Sequence, residues 1–422
     1  MRRRLRFDAC VNPKKSSLNM RGDELVSFVP MDAVGEYGGL RLDNERELDD
    51  VYNGYTYFAD GDICVAKITP CFENGKGALA EGLTNGVGFG TTELHIVRSG
   101  PTIDRHFLFY LSIADEFRKL GASEMCGAGG QKRIDESFIK NWMPPIAPLD
   151  IQRRIVQFLD EKTARIDRLI EKKRELLNRL AERRRALITH AVTKGINPDT
   201  PVRPSGTNSL GDIPTHWRVK RLRFMLNGGT LNGLYKTKDE YDAQGIPFVQ
   251  MGEAFRSPIF NGGTDDGVVA SSDEIEKWGL LRGDLLIARR SIVFEGSGKS
   301  VLVSDLEEPH LFESSMIRIR PKNPQDYSGY LSFFFQSHIG REAILSVTKR
   351  VTISGIDGQQ LKSIHIPIPP NSEASNIAAY CETCDRNVQR IERKISDSIE
   401  RLTEYRSALI TAAVTGQIEE LV

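Results

Sequence analysis

The sequence predicts an α+β protein: two pseudo-repeated blocks of mixed helix and sheet, joined by two long antiparallel helices that pair as a coiled coil. Three observations carry that expectation. The chain is written twice. Each copy ends in a long charged segment with a heptad stripe of apolar residues. The part before each stripe alternates short apolar runs with Gly- and Asp-rich turns.

The repeat is the first of these. Arg184-Arg185-Ala186-Leu187-Ile188-Thr189-His190-Ala191-Val192-Thr193 aligns with Arg406-Ser407-Ala408-Leu409-Ile410-Thr411-Ala412-Ala413-Val414-Thr415, 222 residues further on. The same offset carries Pro145-Ile146-Ala147-Pro148 onto Pro367-Ile368-Pro369-Pro370, Ile134-Asp135 onto Ile356-Asp357, and Gly61-Asp62-Ile63 onto Gly283-Asp284-Leu285. Loop insertions shift the offset nearer the start. Val26-Ser27-Phe28-Val29-Pro30-Met31 matches Ile246-Pro247-Phe248-Val249-Gln250-Met251, and Arg4-Leu5-Arg6-Phe7 recurs unchanged as Arg221-Leu222-Arg223-Phe224. All of these matches fall in the same order.

The repeat sets the expected boundaries: a first block over residues 1–144, a long helix over 145–196, a linker over 197–214, a second block over 215–366 and a second long helix over 367–422. Within the blocks, runs such as Ile63-Cys64-Val65-Ala66 and Leu285-Leu286-Ile287-Ala288 follow Gly-Asp turns and read as strands. Arg105 to Leu120 and Tyr327 to Leu345 read as helices. The Pro-, Gly- and Ser-rich stretch from Asn197 to Pro214 reads as a connector.

Prolines 144, 145 and 148 block a helix before Leu149. Counting fourth then third residues from Ile155 gives a seam of Ile155, Leu159, Ile166, Leu169, Leu176, Leu180 and Leu187. Its basic interruptions are Lys162, Lys173 and Arg183. The counterpart seam is Ile377, Val388, Ile391, Ile395, Leu402 and Leu409, with Cys381 and Cys384 also on it. Helices of about 40 residues reach roughly 60 Å, longer than a small domain, and they share register as partners do. A pseudo-twofold axis across the pair makes the helices antiparallel and leaves a block at each end. Two modules held apart suit a duplex with two half-sites, whose geometry repeats every ~34–36 Å.

Bulk properties bound the function. The 422 residues carry 57 basic and 57 acidic side chains, so net charge gives no support for nucleic-acid binding, and only a local basic cluster could supply it. No run of 18 apolar residues occurs, and the basic start is not followed by a long apolar stretch, so neither a membrane span nor a secretory signal is expected. Six cysteines in a chain of this length suit a reducing cytoplasm.

Catalytic and cofactor signals fail one by one. Glu295-Gly296-Ser297-Gly298-Lys299-Ser300 ends like a phosphate-binding loop, but Val293 stands where the first glycine is needed. Cys381-Glu382-Thr383-Cys384 has no second pair to complete a zinc site and reads as seam packing. Asn323-Pro324-Gln325-Asp326-Tyr327 lacks the second proline of an amino-methyltransferase motif. No cofactor and no metal are expected.

At this point the chain resembles the specificity subunits of type I restriction–modification enzymes. The resemblance rests on the Pro-Ile-Pro-Pro punctuation at Pro367 to Pro370, the helix ending at Arg406 to Gly416 with its counterpart at Arg184 to Gly195, the opening Gly211-Asp212-Ile213-Pro214-Thr215-His216-Trp217, and Arg282-Gly283-Asp284-Leu285-Leu286. It covers essentially the whole chain. The first copy departs from it in lacking the Ile-Pro-x-His-Trp opening, in Ala147, and in Lys194 before Gly195; Glu373-Ala374-Ser375 departs in the second.

The resemblance implies a non-catalytic subunit whose two target-recognition domains each read half of a bipartite double-stranded DNA site. Two adenine-N6 methyltransferase subunits and restriction–translocase subunits assemble on it. The candidate DNA contacts are Lys67, Lys76, Gln131, Lys132 and Arg133 in the first block, and Tyr235, Lys236, Arg289, Arg290, Lys299, Lys349 and Arg350 in the second. Arg can grip guanine and Gln adenine, while Lys mostly holds phosphates. The rival readings are a coiled-coil adaptor without DNA specificity, separated by a sequence-specific duplex shift, and a fused enzyme, separated by S-adenosylmethionine binding.

Overall fold

The computed structural model describes residues 2–128, 130–207, 209–291, 296–349 and 354–421. The chain divides into two units. Residues 1–174 and 396–422 form the first, and residues 175–395 the second. The chain therefore begins and ends in the same unit, and each long helix belongs half to each.

In the first unit the strands are β1 (Ala9–Val11), β2 (Leu25–Val29), β3 (Glu45–Glu47), β4 (Thr56–Ala59), β5 (Asp62–Ala66), β6 (Gly77–Leu79), β7 (Val87–Gly90) and β8 (Leu94–Ser99). They form two four-stranded sheets, β1-β8-β5-β6 and β3-β2-β7-β4. The helices are α1 (Leu48–Val51), α2 (Arg105–Ile113), α3 (Asp115–Glu124) and α4 (Glu136–Asn141), and α5 (Leu149–Lys194) begins here.

The second unit repeats this plan with additions. After β9 (Val202–Pro204), β10 (Asp212–Pro214) and β11 (Arg218–Arg221) come β12 (Leu226–Asn232), β13 (Tyr241–Val249), β14 (Ile259–Phe260), β15 (Gly267–Val268), β16 (Leu285–Ala288), β17 (Arg290–Ser291), β18 (Ser300–Val303), β19 (Leu311–Phe312), β20 (Met316–Pro321), β21 (Ser354–Gly355) and β22 (His365–Ile368). The main sheet runs β12-β20-β16-β18-β14, and a second runs β15-β13-β19. The helices are α6 (Met251–Ala254), α7 (Ser272–Trp278), α8 (Pro324–Gln336), α9 (His338–Val347) and α10 (Gly358–Ser363), followed by α11 (Asn371–Val414).

The repeat seen in the letters is a repeat of register. Ile63 pairs with Val97 across β5 and β8, and Leu285 pairs with Ile319 across β16 and β20. β2 runs parallel to β7 as β13 runs parallel to β19. The two expected block helices are each a pair of helices. The chain leaves helical geometry at Ala114 and at Ser337, where extended residues start a new helix.

The Gly-Asp turns have a defined job. Gly61 and Gly283 take φ values of +89° and +87°, in the left-handed region that glycine adopts without strain. The following aspartates are 1% and 0% exposed. Asp62 accepts a bidentate pair of hydrogen bonds from Arg98 at 2.6 and 2.7 Å and one from the Ala59 backbone N–H at 2.8 Å. Asp284 does the same with Arg320 at 2.6 and 2.7 Å and the Leu281 N–H at 2.9 Å. Each carboxylate ties the turn before the central strand to its neighbour, and its charge is buried only because it is fully paired.

Each unit's core lies between its main sheet and helices of both copies. In the first unit, Ile63, Val97, Phe107 and Phe117 cluster with Ile155 and Leu159 of α5 and with Ile410, Ala413 and Val414 of α11. In the second, Leu285, Ile319, Tyr330 and Phe334 cluster with Ile188, Ala191 and Val192 of α5 and with Ile377 and Cys381 of α11. The helices run antiparallel within each unit. Arg406 pairs with Asp167 at 2.8 Å, and Arg154 reaches the Glu420 carbonyl at 2.9 Å. In the other unit Arg184 pairs with Asp385, and Tyr330 of the sheet-packed helix α8 bonds to the Val192 carbonyl at 2.8 Å.

The seam needs correction from the middle of each helix onward. Leu169, Leu176 and Ile391 are 44%, 46% and 41% exposed, and Leu180, Leu187, Leu402 and Leu409 are only half-buried. Ile155, Leu159, Ile166, Ile377, Val388 and Ile395 are buried as expected. The buried positions next to the failures are Ile170, Ile188 and Ile410, with Leu177 and Ile399 half-buried. Ile155, Ile166, Leu177 and Ile188 are spaced by eleven residues, as are Ile377, Val388, Ile399 and Ile410. Eleven residues make three turns of a nearly straight helix. A strict heptad count drifts by ~20° per repeat, so over four or five repeats it misses by almost one residue. Cys381 is fully buried, its thiol pushed up to about 12 by burial, which fits packing.

Candidate nucleic-acid interface

The candidate contacts fall into three groups. The first group gathers at the end of the central strand in each unit. Lys67 follows β5, and its N–H bonds to the Glu93 carbonyl at 3.0 Å. The segment carrying Gln131 and Lys132 doubles back beside it: Arg133 bridges to both Cys126 and Ile68, and the Ile134 N–H bonds to the Lys67 carbonyl at 2.9 Å. Gln131 and Lys132 are exposed at the tip of that turn.

In the second unit, Arg289 and Arg290 follow β16. β17 pairs with β21, and Lys349 bridges to Gly355. Lys299 lies across from them, its carbonyl accepting from the Ala288 N–H at 2.8 Å. Arg290, Lys299 and Lys349 are exposed, and Arg289 is half-buried with a bond to the Ser314 carbonyl at 3.3 Å. Arg350 lies outside the described residues, as do Val293 and Glu295 of the loop before Lys299.

The second group is tied up in structural bonds. Lys76 donates to the Met31 carbonyl at 3.1 Å. Lys236 has a side chain only 6% exposed, clamped between Glu274 at 2.9 Å and Glu240 at 3.1 Å, and its ammonium is stabilised mainly by Glu274. Two carboxylates already neutralise that charge. Lys76 and Lys236 are thus both engaged within the protein, which only their side-chain neighbours reveal. Arg133 is exposed but held by Glu93 through two bonds of 2.9 Å, which lower the Glu93 carboxyl below its usual range.

Tyr235 stands apart as the third group. It is 76% exposed, beyond β12, and no aromatic partner is near it among the described residues.

Two supporting residues escaped the sequence reading. Arg118 of α3 is 6% exposed and hydrogen-bonds the Phe72 carbonyl at 2.9 Å, with its guanidinium 4.9 Å from the Phe72 ring. Burial pulls its pKa down to about 10. Arg341 of α9 reaches the Ser297 carbonyl at 3.0 Å. Each arginine braces the loop that leaves the central strand. Their signal was the matching position in the two short helices, which the helix break obscured.

Among the described residues no cluster of His, Cys, Asp or Glu is arranged to hold a metal, and no helix is long and apolar enough to cross a membrane.

Residues 214–401 match the model of the type I restriction modification DNA specificity domain. That stretch of the chain is therefore similar to the DNA specificity domain of type I restriction–modification enzymes. The chain is 41% identical over 162 residues to the EcoAI specificity subunit and 40% identical over 151 residues to the EcoEI specificity subunit, both of Escherichia coli. These stretches cover 38% and 35% of this chain but only 27% and 25% of those proteins, so the matches span about a quarter of the relatives' length. The MjaVIII specificity subunit of Methanocaldococcus jannaschii is 22% identical over 329 residues, 78% of this chain and 73% of that one.

Solved structures share the fold. A chain from a study of complex assembly and conformational transition in a type I restriction–modification system superimposes with a TM-score of 0.77 at 18% identity, covering 99% of this chain and 98% of that one. The HsdS subunit from Thermoanaerobacter tengcongensis superimposes with a TM-score of 0.55 at 17% identity, covering 99% and 97%.

Proposed function

We propose that this chain is the non-catalytic DNA-reading subunit of a type I restriction–modification complex. Each unit carries one target-recognition domain and reads one half of a bipartite duplex site. The recognition domains are taken to span residues 1–144 and 215–366, with the linker at 197–214 and the paired helices at 145–196 and 367–422 setting the gap between half-sites. Two methyltransferase subunits and the restriction–translocase subunits assemble on this frame.

The observation that carries this reading is the basic loop cluster at the end of the same central strand in both units: Lys67, Gln131 and Lys132 in one, Arg289, Arg290, Lys299 and Lys349 in the other. These side chains are proposed to touch DNA, as is Arg350, which lies outside the described residues, and Tyr235 is proposed as an exposed aromatic contact of the second reader. Lysines supply salt-sensitive phosphate contacts and arginines grip guanine edges. A local cluster of this kind is what a chain with zero net charge needs for nucleic acid.

The test is a block exchange. Replacing residues before about 145 with the block of another family member is expected to change one half of the methylated site and leave the other half unchanged, as mapped by methylation in cells. A simultaneous change of both halves would sink the two-reader model.

A further inference from the structure

The repeated tetrapeptide has not been used by any role described so far. Arg4-Leu5-Arg6-Phe7 and Arg221-Leu222-Arg223-Phe224 are identical in sequence and in structure. Each leucine begins a single 3-10 turn, Leu5–Phe7 and Leu222–Phe224. Leu5 and Leu222 are buried, at 1% and 0% exposure. Their N–H groups bond to the Trp142 and Ile364 carbonyls, both at 2.8 Å, and those carbonyls belong to equivalent positions of the repeat. The leucine alone anchors each turn.

The other side chains face solvent. Phe7 is 67% exposed and Phe224 53%. Arg4, Arg6, Arg221 and Arg223 are all exposed, and none forms an ion pair among the described residues. Arg223 lies 4.7 Å from the ring of its neighbour Phe224. An exposed phenylalanine forgoes the ~1.5–3 kcal/mol that burial of such a side chain provides. Here that happens twice, at the same place, beside two unpaired arginines.

The duplication narrows the occupant. Two readers with different loops recognise different half-sites, so a surface that is the same on both cannot discriminate sequence. It must meet something that is the same at both. DNA phosphate is one such thing and a protein present in two copies is another. Phosphates attract the arginines but offer nothing to an apolar ring, whereas aromatic and Arg side chains together are the residues enriched at protein interfaces.

We infer that the two Arg-Leu-Arg-Phe turns are docking sites for two copies of one protein partner, which offers each phenylalanine an apolar pocket rimmed by acidic side chains. The inference rests on the proposed function, under which that partner is the methyltransferase subunit.

The experiment mixes the full chain with its cognate methyltransferase subunit and counts copies by native mass spectrometry, with DNA binding measured across a salt series in parallel. Phe7→Ala and Phe224→Ala are each expected to leave one tightly held methyltransferase. The double variant should bind on the order of tenfold more weakly or worse at both positions. Because both rings are exposed, thermal unfolding of the variants should match the unaltered chain. A double variant that still held two methyltransferase copies with unchanged affinity would overturn the inference while leaving the proposed function intact. So would a loss confined to DNA affinity and its salt slope, which would make the turns phosphate contacts. An unaltered chain that bound no methyltransferase would overturn the inference together with the reading beneath it.

Discussion

The two units solve the same folding problem with the same few residues and then diverge where they meet solvent. Both place a Gly-Asp turn before the central strand and bury the carboxylate against an arginine of the neighbouring strand. Both receive the end of the other copy's long helix. Thr411 accepts a hydrogen bond from the Asp115 N–H at 3.0 Å, and Thr189 accepts one from the His338 N–H at 3.2 Å. These equivalent threonines cap α3 and α9, which satisfies an N–H that the first turn of a helix leaves without a partner. The loops differ: the second unit adds β14 to its main sheet and the pair β17-β21 beyond its central strand, and its second sheet has three strands where the first unit's has four. Most residues that repeat hold the frame, the exposed side chains of the two Arg-Leu-Arg-Phe turns excepted, and the loops that vary are what a reader would change.

The buried pairs test that comparison most severely. Asp284→Ala removes three hydrogen bonds and leaves Arg320, whose side chain is 24% exposed, with the Gly279 carbonyl at 3.2 Å but no opposite charge; Asp62→Ala takes the carboxylate from Arg98, which is 37% exposed. Breaking a buried pair costs about 3–5 kcal/mol. Asp284→Ala is expected at the upper end and Asp62→Ala lower, because water reaches Arg98 more easily. Unit-resolved hydrogen exchange should show the loss confined to the altered unit. Equal losses in both units would mean that the units do not fold as described.

The corrected seam gives the next largest effect. Ile188 and Ile410 are 2% and 0% exposed, so Ile188→Ala or Ile410→Ala should cost about 2–5 kcal/mol. Leu187→Ala and Leu409→Ala, at the positions the heptad count favours, should cost clearly less. Chemical denaturation of the four variants decides between the two seams.

Smaller still are the caps. Thr189→Ala and Thr411→Ala should each cost about 1 kcal/mol, with Thr→Ser close to neutral. The two should match, since geometry and motif match; a marked difference in thermal midpoint would show that the docked helix ends are not equivalent.

The smallest effects belong to the readers. Lys132→Ala and Lys299→Ala should leave stability unchanged and weaken binding to the bipartite duplex about equally for all sequences, lowering the salt slope by about one each. Lys76→Ala and Lys236→Ala should leave that slope alone. A slope change from Lys236→Ala would return it to the interface.

Much of this architecture was legible in the letters because repetition is a long-range signal that needs no structure to detect. Gly61-Asp62 and Gly283-Asp284, the Thr189 and Thr411 segments, and the prolines before Leu149 and Asn371 announced two copies of one plan, each ending in a helix. The candidate interface was legible only as a pool of basic residues. Charge is written in the sequence, but whether a lysine is free depends on what folds against it. Lys236 meets Glu274 from a helix more than thirty residues away, and Lys76 meets the carbonyl of Met31. The seam shows the same division. The sequence determined that two long amphipathic helices would pair and which apolar residues were available to them. Only the tertiary structure decided that Ile170 and Ile188 go inward while Leu169 and Leu187 do not, because a helix keeps its own turn of ~3.6 residues and the count drifts until packing chooses the neighbour.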